Sequence, residues 1–437
     1  MVANNNPGTE RQAGFAVLES LRYRDFRILW IGLLCGNVAM VFDFYTQPWY
    51  IVQSVQSNQN LMLGLLGLGR GVAMLIASMY GSALADRWDR RYLLLLTQGA
   101  AIAVKLLLSA LIIFGSPELW QVLPLMFLAL ASPAIDQPVR QALATELVPR
   151  QSIPNAMALL MVAQMGAFVL VAPIVGSLID HVGTGTTFAI SLVGHVGSLG
   201  SLMFIHYRSL PGHGETASAF RGVREGLRYV SGQTGILWII VLTVVTGSTG
   251  GPLISTLAAS WMRNVLGVSS TGYTLMAWLW AISATVTALL LSSIGNVPVK
   301  GRLLLLSALG FGLSVILYAF SRSLVLTSIS WVINGAMFTA ANTTSLTIVQ
   351  TLTANEYRAR VMALVNLRFP AAQAAALPLG LAADAAGLTT VVPVMAIICS
   401  VLVILMAAAI PTLRRLDQIE AEAGDAQKTD VATKTPP

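Results

Sequence analysis

The chain has 437 residues; 10% are charged and 55% hydrophobic, with a net charge of +7, and its mean hydropathy is +0.73. Soluble globular domains carry about 25% charged residues, so a chain this poor in charge cannot dress the surface of two or three soluble domains, and it is too apolar to be disordered. Its basic residues form no continuous stripe of the kind nucleic acid needs. They stand in short loops between long apolar runs, the pattern of a polytopic helical membrane protein.

Residues 1–27 read as a cytoplasmic N-terminal segment. It is polar as far as Gly14; Phe15, Val17, Leu18 and Leu21 then form the apolar face of a short interfacial helix, with Arg22, Arg24 and Arg27 at headgroup level. No cleavable signal peptide is expected. Twelve spans follow. The first six are Ile28–Val52, Leu61–Ala85, Tyr92–Phe114, Leu119–Pro138, Asn155–Ile179 and Thr186–Ile205, which make a first half over residues 28–206. The loop 207–235 lies between the halves, and its Phe220–Tyr229 stretch predicts a surface helix. The second half, residues 236–410, holds Ile236–Ser260, Thr274–Ser293, Leu303–Phe320, Leu324–Val349, Val361–Ala385 and Thr390–Ile410. Most spans reach the ~20 residues that cross the hydrocarbon core. Residues 411–437 read as a disordered cytoplasmic tail. Loop Lys and Arg concentrate on the side of the termini, among them Arg87, Arg140, Arg224, Lys300 and Arg358, while the opposite loops offer Arg263 and Arg322. The positive-inside rule then places both termini in the cytoplasm.

The two halves repeat. Pro149–Leu159 aligns on Ala354–Leu364, Met157-Ala158-Leu159 falling on Met362-Ala363-Leu364, and the same offset carries Pro173 onto Pro378. One residue out of step, Asp180-x-x-Gly183 matches Asp384-x-x-Gly387. Two six-helix halves related by an axis along the membrane normal place a substrate near the midplane between them.

The loop after the second span reads Gly81-Ser-Ala-Leu-Ala-Asp86-Arg87-Trp-Asp89-Arg90-Arg91. It resembles the G-x-x-x-D-R-x-x-R-R loop of the major facilitator superfamily, with the first glycine one place early. Gly81 lets a helix end approach its neighbour. Asp86 suits a helix N-terminus, and Arg87, Arg90 and Arg91 can bridge acidic partners in one conformation and release them in the other; positive-inside charge is the plainer reading. Asp136-Gln-Pro-Val-Arg140-Gln141 with Glu146-Leu-Val-Pro and Asn155-Ala, Gly226-Leu-Arg228-Tyr229, Glu356-Tyr-Arg358-Ala-Arg360-Val-Met362 and Gln47-x-Trp49 are similar to the secretion-effector branch, which holds the enterobactin-exporter-like and macrolide-efflux-like proteins. The resemblance covers most of Leu21–Ile410. It implies an all-α fold of twelve transmembrane helices in the bacterial inner membrane, a monomer that exports bulky amphipathic compounds by alternating access as protons flow inward. The fifth span departs from the G-P-x-x-G-G of proton antiporters in reading Ala172-Pro173-Ile-Val-Gly176-Ser177. The alternatives are an importer or lysolipid-type transporter of the same fold, or a membrane receptor that transports nothing.

Ionisable residues at depth are functional candidates because each costs at least ~2.5–3.5 kcal/mol there. Asp43, Arg70 and Lys105 sit at similar depth in the first three spans, about nine residues from the far surface. Asp43 and Arg70 are expected to pair, either as a proton switch or as a static ion pair, while Lys105 is expected to snorkel from a lipid-facing helix. Asp136 and Arg140, four apart, form a gate or a stabilising pair across Pro138. Arg368 attracts an anionic group of the substrate or snorkels; Gln47 and Trp49 are further candidate substrate contacts. His195 reads as a packing residue. Cys35 and Cys399 lie inside apolar runs and read as small core hydrophobes. The chain has no Walker motif, no metal-ligand spacing and no nucleophile–base constellation, so neither a cofactor nor an enzymatic activity is expected; the expected partners are a small organic substrate, protons and lipid. The topology is checked by labelling whole cells with an impermeant thiol reagent: a cysteine at Asn58 should react, and one at Gly214 should not.

Overall fold

The computed structural model describes residues 18–115, 117–207, 219–294 and 299–419, without the side chains of 78–87, 131, 219–223 and 359. Every regular element among the described residues is helical. In chain order these are α1 (Arg24–Ser54), α2 (Gln59–Arg87), α3 (Arg90–Phe114), α4 (Leu119–Glu146), α5 (Ile153–Met203), α6 (Ala219–Gly232), α7 (Thr234–Ser255), α8 (Ala258–Asn264), α9 (Ser270–Ile294), α10 (Lys300–Phe320), α11 (Leu324–Leu352), α12 (Arg358–Asn366), α13 (Arg368–Ala374), α14 (Ala376–Ala386), α15 (Leu388–Ala409) and α16 (Pro411–Arg414).

Among the described residues, ten helices are long and apolar enough to cross a membrane. One of them, α5, has 51 residues and is two helices merged at Gly183, whose φ is 81°. The predicted fifth and sixth spans are its arms, 153–182 and 184–203. The predicted eleventh span is divided among α12, α13 and α14, of 9, 7 and 11 residues, each too short to cross alone. α1, α4, α5, α7 and α15 contain internal prolines, which membrane helices tolerate where neighbouring groups satisfy the freed carbonyls.

The chain forms two compact units that do not follow chain order. The first comprises Met1–Phe44, Tyr80–Val171 and Gly183–Glu215; the second comprises Tyr45–Met79, Ala172–Val182 and Thr216–Pro437. The first is cored by Phe26, Leu29, Leu94, Leu143, Ala156 and Leu202. The N-terminal segment docks on it through a 3-10 turn, Glu19–Arg22, whose Ser20 backbone N–H donates to Asn155 Oδ1 at 3.0 Å; Phe15 and Val17 of the expected interfacial helix lie outside the described residues.

The second unit is cored by Ile236, Leu242, Leu304, Ile348 and Val361. The predicted surface helix of the central loop is α6, and two motif stretches meet there. The Tyr229 ring stacks on Tyr357 at 4.4 Å, and Arg360 reaches Glu225 at 3.1 Å. The tail corrects an expectation. It stays folded to Ile419, with Leu413 and Leu416 fully buried in the second core and Asp417 Oδ1 accepting from the Gly301 N–H at 2.6 Å. Two apolar side chains and one cap suffice to hold a segment whose composition is polar.

The repeat seen in the sequence has a structural meaning in this unit. Asp180, near the end of the first arm of α5, accepts from the backbone N–H of Ser270 (3.2 Å) and of Thr271 (2.9 Å) at the start of α9. Asp384, on α14, accepts from the backbone N–H of Asn60 (3.1 Å) and of Leu61 (2.7 Å) at the start of α2. Each carboxylate thus satisfies the orphan donors of a helix start and faces the positive end of its dipole. Three residues beyond each, Gly183 and Gly387 take φ of 81° and 86°, a left-handed backbone that only glycine adopts without strain. Asp180→Ala and Asp384→Ala should each lower stability by about 1 kcal/mol, read as a fall in the thermal melting midpoint, whereas the Asn variants, which still accept, should lose less.

Candidate functional site

The first unit buries a row of polar side chains between α1, α3, α4 and the second arm of α5. On α3, Gln98 and Lys105 are two turns apart and share a face. On α4, Asp136 and Arg140 are one turn apart. On α5, His195 and Ser198 are neighbours on one face. α1 and α5 can approach because residue 194 is glycine: a Cβ there would lie 2.5 Å from the Cys35 carbonyl oxygen. That closeness brings Asp43 to the arm that carries His195.

The row begins at Lys105, fully buried, whose ammonium binds Asp43 Oδ1 and stands 5.1 Å from the Phe188 ring centroid. Asp43 Oδ2 lies 3.8 Å from His195 Nε2. His195 Nδ1 lies 3.1 Å from Gln98 Oε1, and Gln98 Nε2 donates to Asp136 Oδ2. Asp136 also accepts from Thr97 and from the Arg140 fork at 3.2 and 3.0 Å. Arg140 ends the row by donating to Ser198 Oγ at 2.7 Å. Asp43, Gln98, Asp136, Arg140 and His195 border a cavity of about 30 Å³, room enough for a water molecule. Beside it, Leu33, Asn37, Arg140, Met157, Leu160 and Met161 line a larger cavity of about 370 Å³, within the range of small-molecule sites.

The Asp43–Arg70 pair expected from the sequence is therefore corrected: the ion-pair partner of Asp43 is Lys105, and His195 faces its other oxygen. Depth was shared by Arg70 and Lys105 and could not choose between them; helix rotation does. Two residues along α1 turn the side chain by about 200°, and the boundary between the units falls after Phe44. Tyr45 thus belongs to the second unit, where Arg70 acts electrostatically on Tyr45 and Tyr273. Lys105 does not snorkel, and His195 is no mere packing residue. Its signal was the Gly194-His195-x-Gly197 spacing, which marks the face of closest helix approach. Gln98 carried no signal beyond its spacing from Lys105.

Of the loop cluster, Gly81, Asp86 and Arg87 lie outside the described side chains. Arg90 pairs with Glu146 at 2.6 Å, joining two of the sequence motifs. Arg91 donates to the carbonyls of Leu202 (2.9 Å) and Met203 (2.8 Å) at the end of α5, where a cation also meets the negative end of the dipole. Asp89, which sequence reasoning passed over, caps α3. In the second unit Trp49 stacks on Tyr273 at 5.8 Å. Gln47 is fully buried, and its amide has no hydrogen-bond partner among the described residues. Arg368 is buried and held by Asn342 and Ser345 of α11.

Long apolar helices around a buried row of charges define a multi-pass membrane transporter. The fold is that of solved transporters: a POT family transporter in complex with 5-aminolevulinic acid (14% identity, 89% of this chain and 96% of that one, TM-score 0.71), a bacterial homologue of the human lysosomal transporter Spinster (14%, 92% and 98%, 0.68) and the nucleoside transporter NupG (11%, 88% and 99%, 0.71). Residues 15–435 match the transmembrane secretion effector family; the chain belongs to that family, within the major facilitator superfamily. No curated protein sequence matches it.

Removing one partner of a buried ion pair strands the other. Lys105→Met should cost about 3–5 kcal/mol of stability, measured by thermal unfolding of the purified protein, and Asp43→Asn combined with Lys105→Met should recover most of that loss.

Proposed function

We propose that the protein is a proton-coupled exporter of an amphipathic organic compound, a drug-like or siderophore-like molecule, in the bacterial inner membrane. It works by alternating access between two six-helix halves, with both termini in the cytoplasm. The observation that carries this reading is Asp43, a buried carboxylate on α1 between Lys105 and His195. A buried carboxylate held by basic partners changes those contacts when a proton is added nearby, because a charge there is stable only while paired. The change is then transmitted to α1, α3 and α5, which the three side chains tie together. The neighbouring cavity, with Leu33, Leu160, Met157 and Met161 beside Asn37 and Arg140, suits a molecule with apolar bulk and a few polar groups; methionine adapts to varied shapes. Arg90, Arg91, Asp136 and Arg140 serve as positions that hold one conformation, and Arg368, Gln47 and Trp49 as contacts for the substrate.

Cells that express or lack the protein, compared across a panel of antibiotics and siderophores, identify an exported compound. Inverted membrane vesicles with an acid lumen should accumulate it. Asp43→Asn should abolish that accumulation and leave downhill exchange intact. Uphill accumulation with ordinary pH dependence in the Asp43→Asn vesicles would place the proton carrier elsewhere, and loss of the compound from wild-type vesicles would reverse the direction.

A further inference from the structure

The orientation of one amide decides where hydrogen sits in the buried row. Asp136 accepts from Thr97, from Gln98 and from the Arg140 fork, so it is a full acceptor. Only the NH2 end of the Gln98 amide can face it. The Gln98 carbonyl must then face His195, and at 3.1 Å it requires a hydrogen on Nδ1. A neutral imidazole carries one hydrogen. His195 Nε2 therefore turns a bare lone pair toward Asp43 Oδ2, 3.8 Å away, and it has no hydrogen-bond partner among the described residues. Two buried acceptors facing each other is the arrangement that one added proton resolves; charge-assisted N–H···O contacts close to about 2.7–2.9 Å.

We infer that His195 Nε2 is the proton-binding atom of the transport cycle, that Asp43 is the counter-charge that receives the imidazolium, and that Gln98 is the positioning residue that keeps Nε2 free. The inference rests on the proton-coupled reading and deepens it, since Asp43 is already occupied by Lys105. His195 faces Asp43 from α1 and Gln98 from α3; Lys105 of α3 stands behind Asp43, Asp136 and Arg140 of α4 border the same cavity, and Cys35 of α1 lies against the flanking Gly194 and Gly197. Their formal charges cancel with His195 neutral. One proton, delivered by water through the small cavity, bonds to the Nε2 lone pair, breaks no bond to Gln98 and leaves the row with one positive charge in excess. That excess is what a conformational change discharges on the other side of the membrane.

The tautomer is observable without a substrate. In the full-length protein in lipid nanodiscs, with its four histidines labelled with nitrogen-15 and His195→Gln used for assignment, neutral His195 should show the Nδ1–H form. On acidification Nε2 should gain the proton while Asp43 keeps the carbon-13 signal of a carboxylate. Gln98→Leu should shift His195 to the Nε2–H form, donating to Asp43, and abolish pH-driven accumulation of the exported compound while its binding is kept. An Nε2–H form in the wild type overturns the inference whether or not any variant folds. So does conversion of Asp43 to the acid while His195 stays neutral, and so does a folded Gln98→Leu protein that retains the Nδ1–H form. Transport that proves independent of protons would sink the parent reading with the wild-type tautomer intact; the wrong tautomer with intact coupling sinks this one alone.

Discussion

A charge inside a membrane protein is stable only while it is paired, and Asp43–Lys105 is the pair on which this molecule's interior depends. Lys105 is fully buried on a helix that is chiefly leucine, isoleucine and alanine, and Asp43 has beside it only a cavity of about 30 Å³. The pair fixes the rotation of α1 against α3. That rotation brings Asp43 to His195, and His195 in turn brings Gln98 and Asp136 into one connected row. Buried polar networks are costly when half satisfied. Two atoms of the row, His195 Nε2 and Arg140 Nη1, are buried without a hydrogen-bond partner among the described residues, and of the two it is Nε2 that faces a carboxylate.

Much of the fold could be read along the chain. Span limits follow from apolar length, and the repeat from Asp180-x-x-Gly183 and Asp384-x-x-Gly387. The amphipathic helix of the central loop follows from its alternation of Arg224, Glu225 and Arg228 with apolar residues. What the sequence could not show was azimuth. Depth along a helix follows from counting, but three candidate charges at one depth are separated only by which way each helix faces, and that is settled by close approaches such as Cys35 against Gly194. For the same reason depth alone pairs Asp43 with Arg70 and leaves Lys105 to lipid, whereas the structure pairs Asp43 with Lys105. The tail is illegible for a different cause: Leu413 and Leu416 look ordinary in a polar segment, and only the core they fill makes them anchors.

The sequence motifs make sense in pairs. Arg90 of the loop meets Glu146 of the E-L-V-P stretch, Asn155 holds the N-terminal turn, and Tyr229 stacks beside the Glu356–Arg360 segment at Tyr357. Residues that looked like separate signatures along the chain are the two sides of single contacts. A substitution in one stretch is therefore felt in the other, and the pair, not the residue, is the unit that a variant disturbs.

The two capping aspartates carry a thermodynamic consequence. Asp180 and Asp384 each hold the start of a helix from the opposite sequence half, and a cycle that parts those ends surrenders both caps at once. At about 1 kcal/mol each, the two together favour a conformation that keeps both caps over one that loses both by a factor of about thirty. A preference of that size is small beside the whole stability of a fold, yet large enough to decide between two conformations that differ in these contacts.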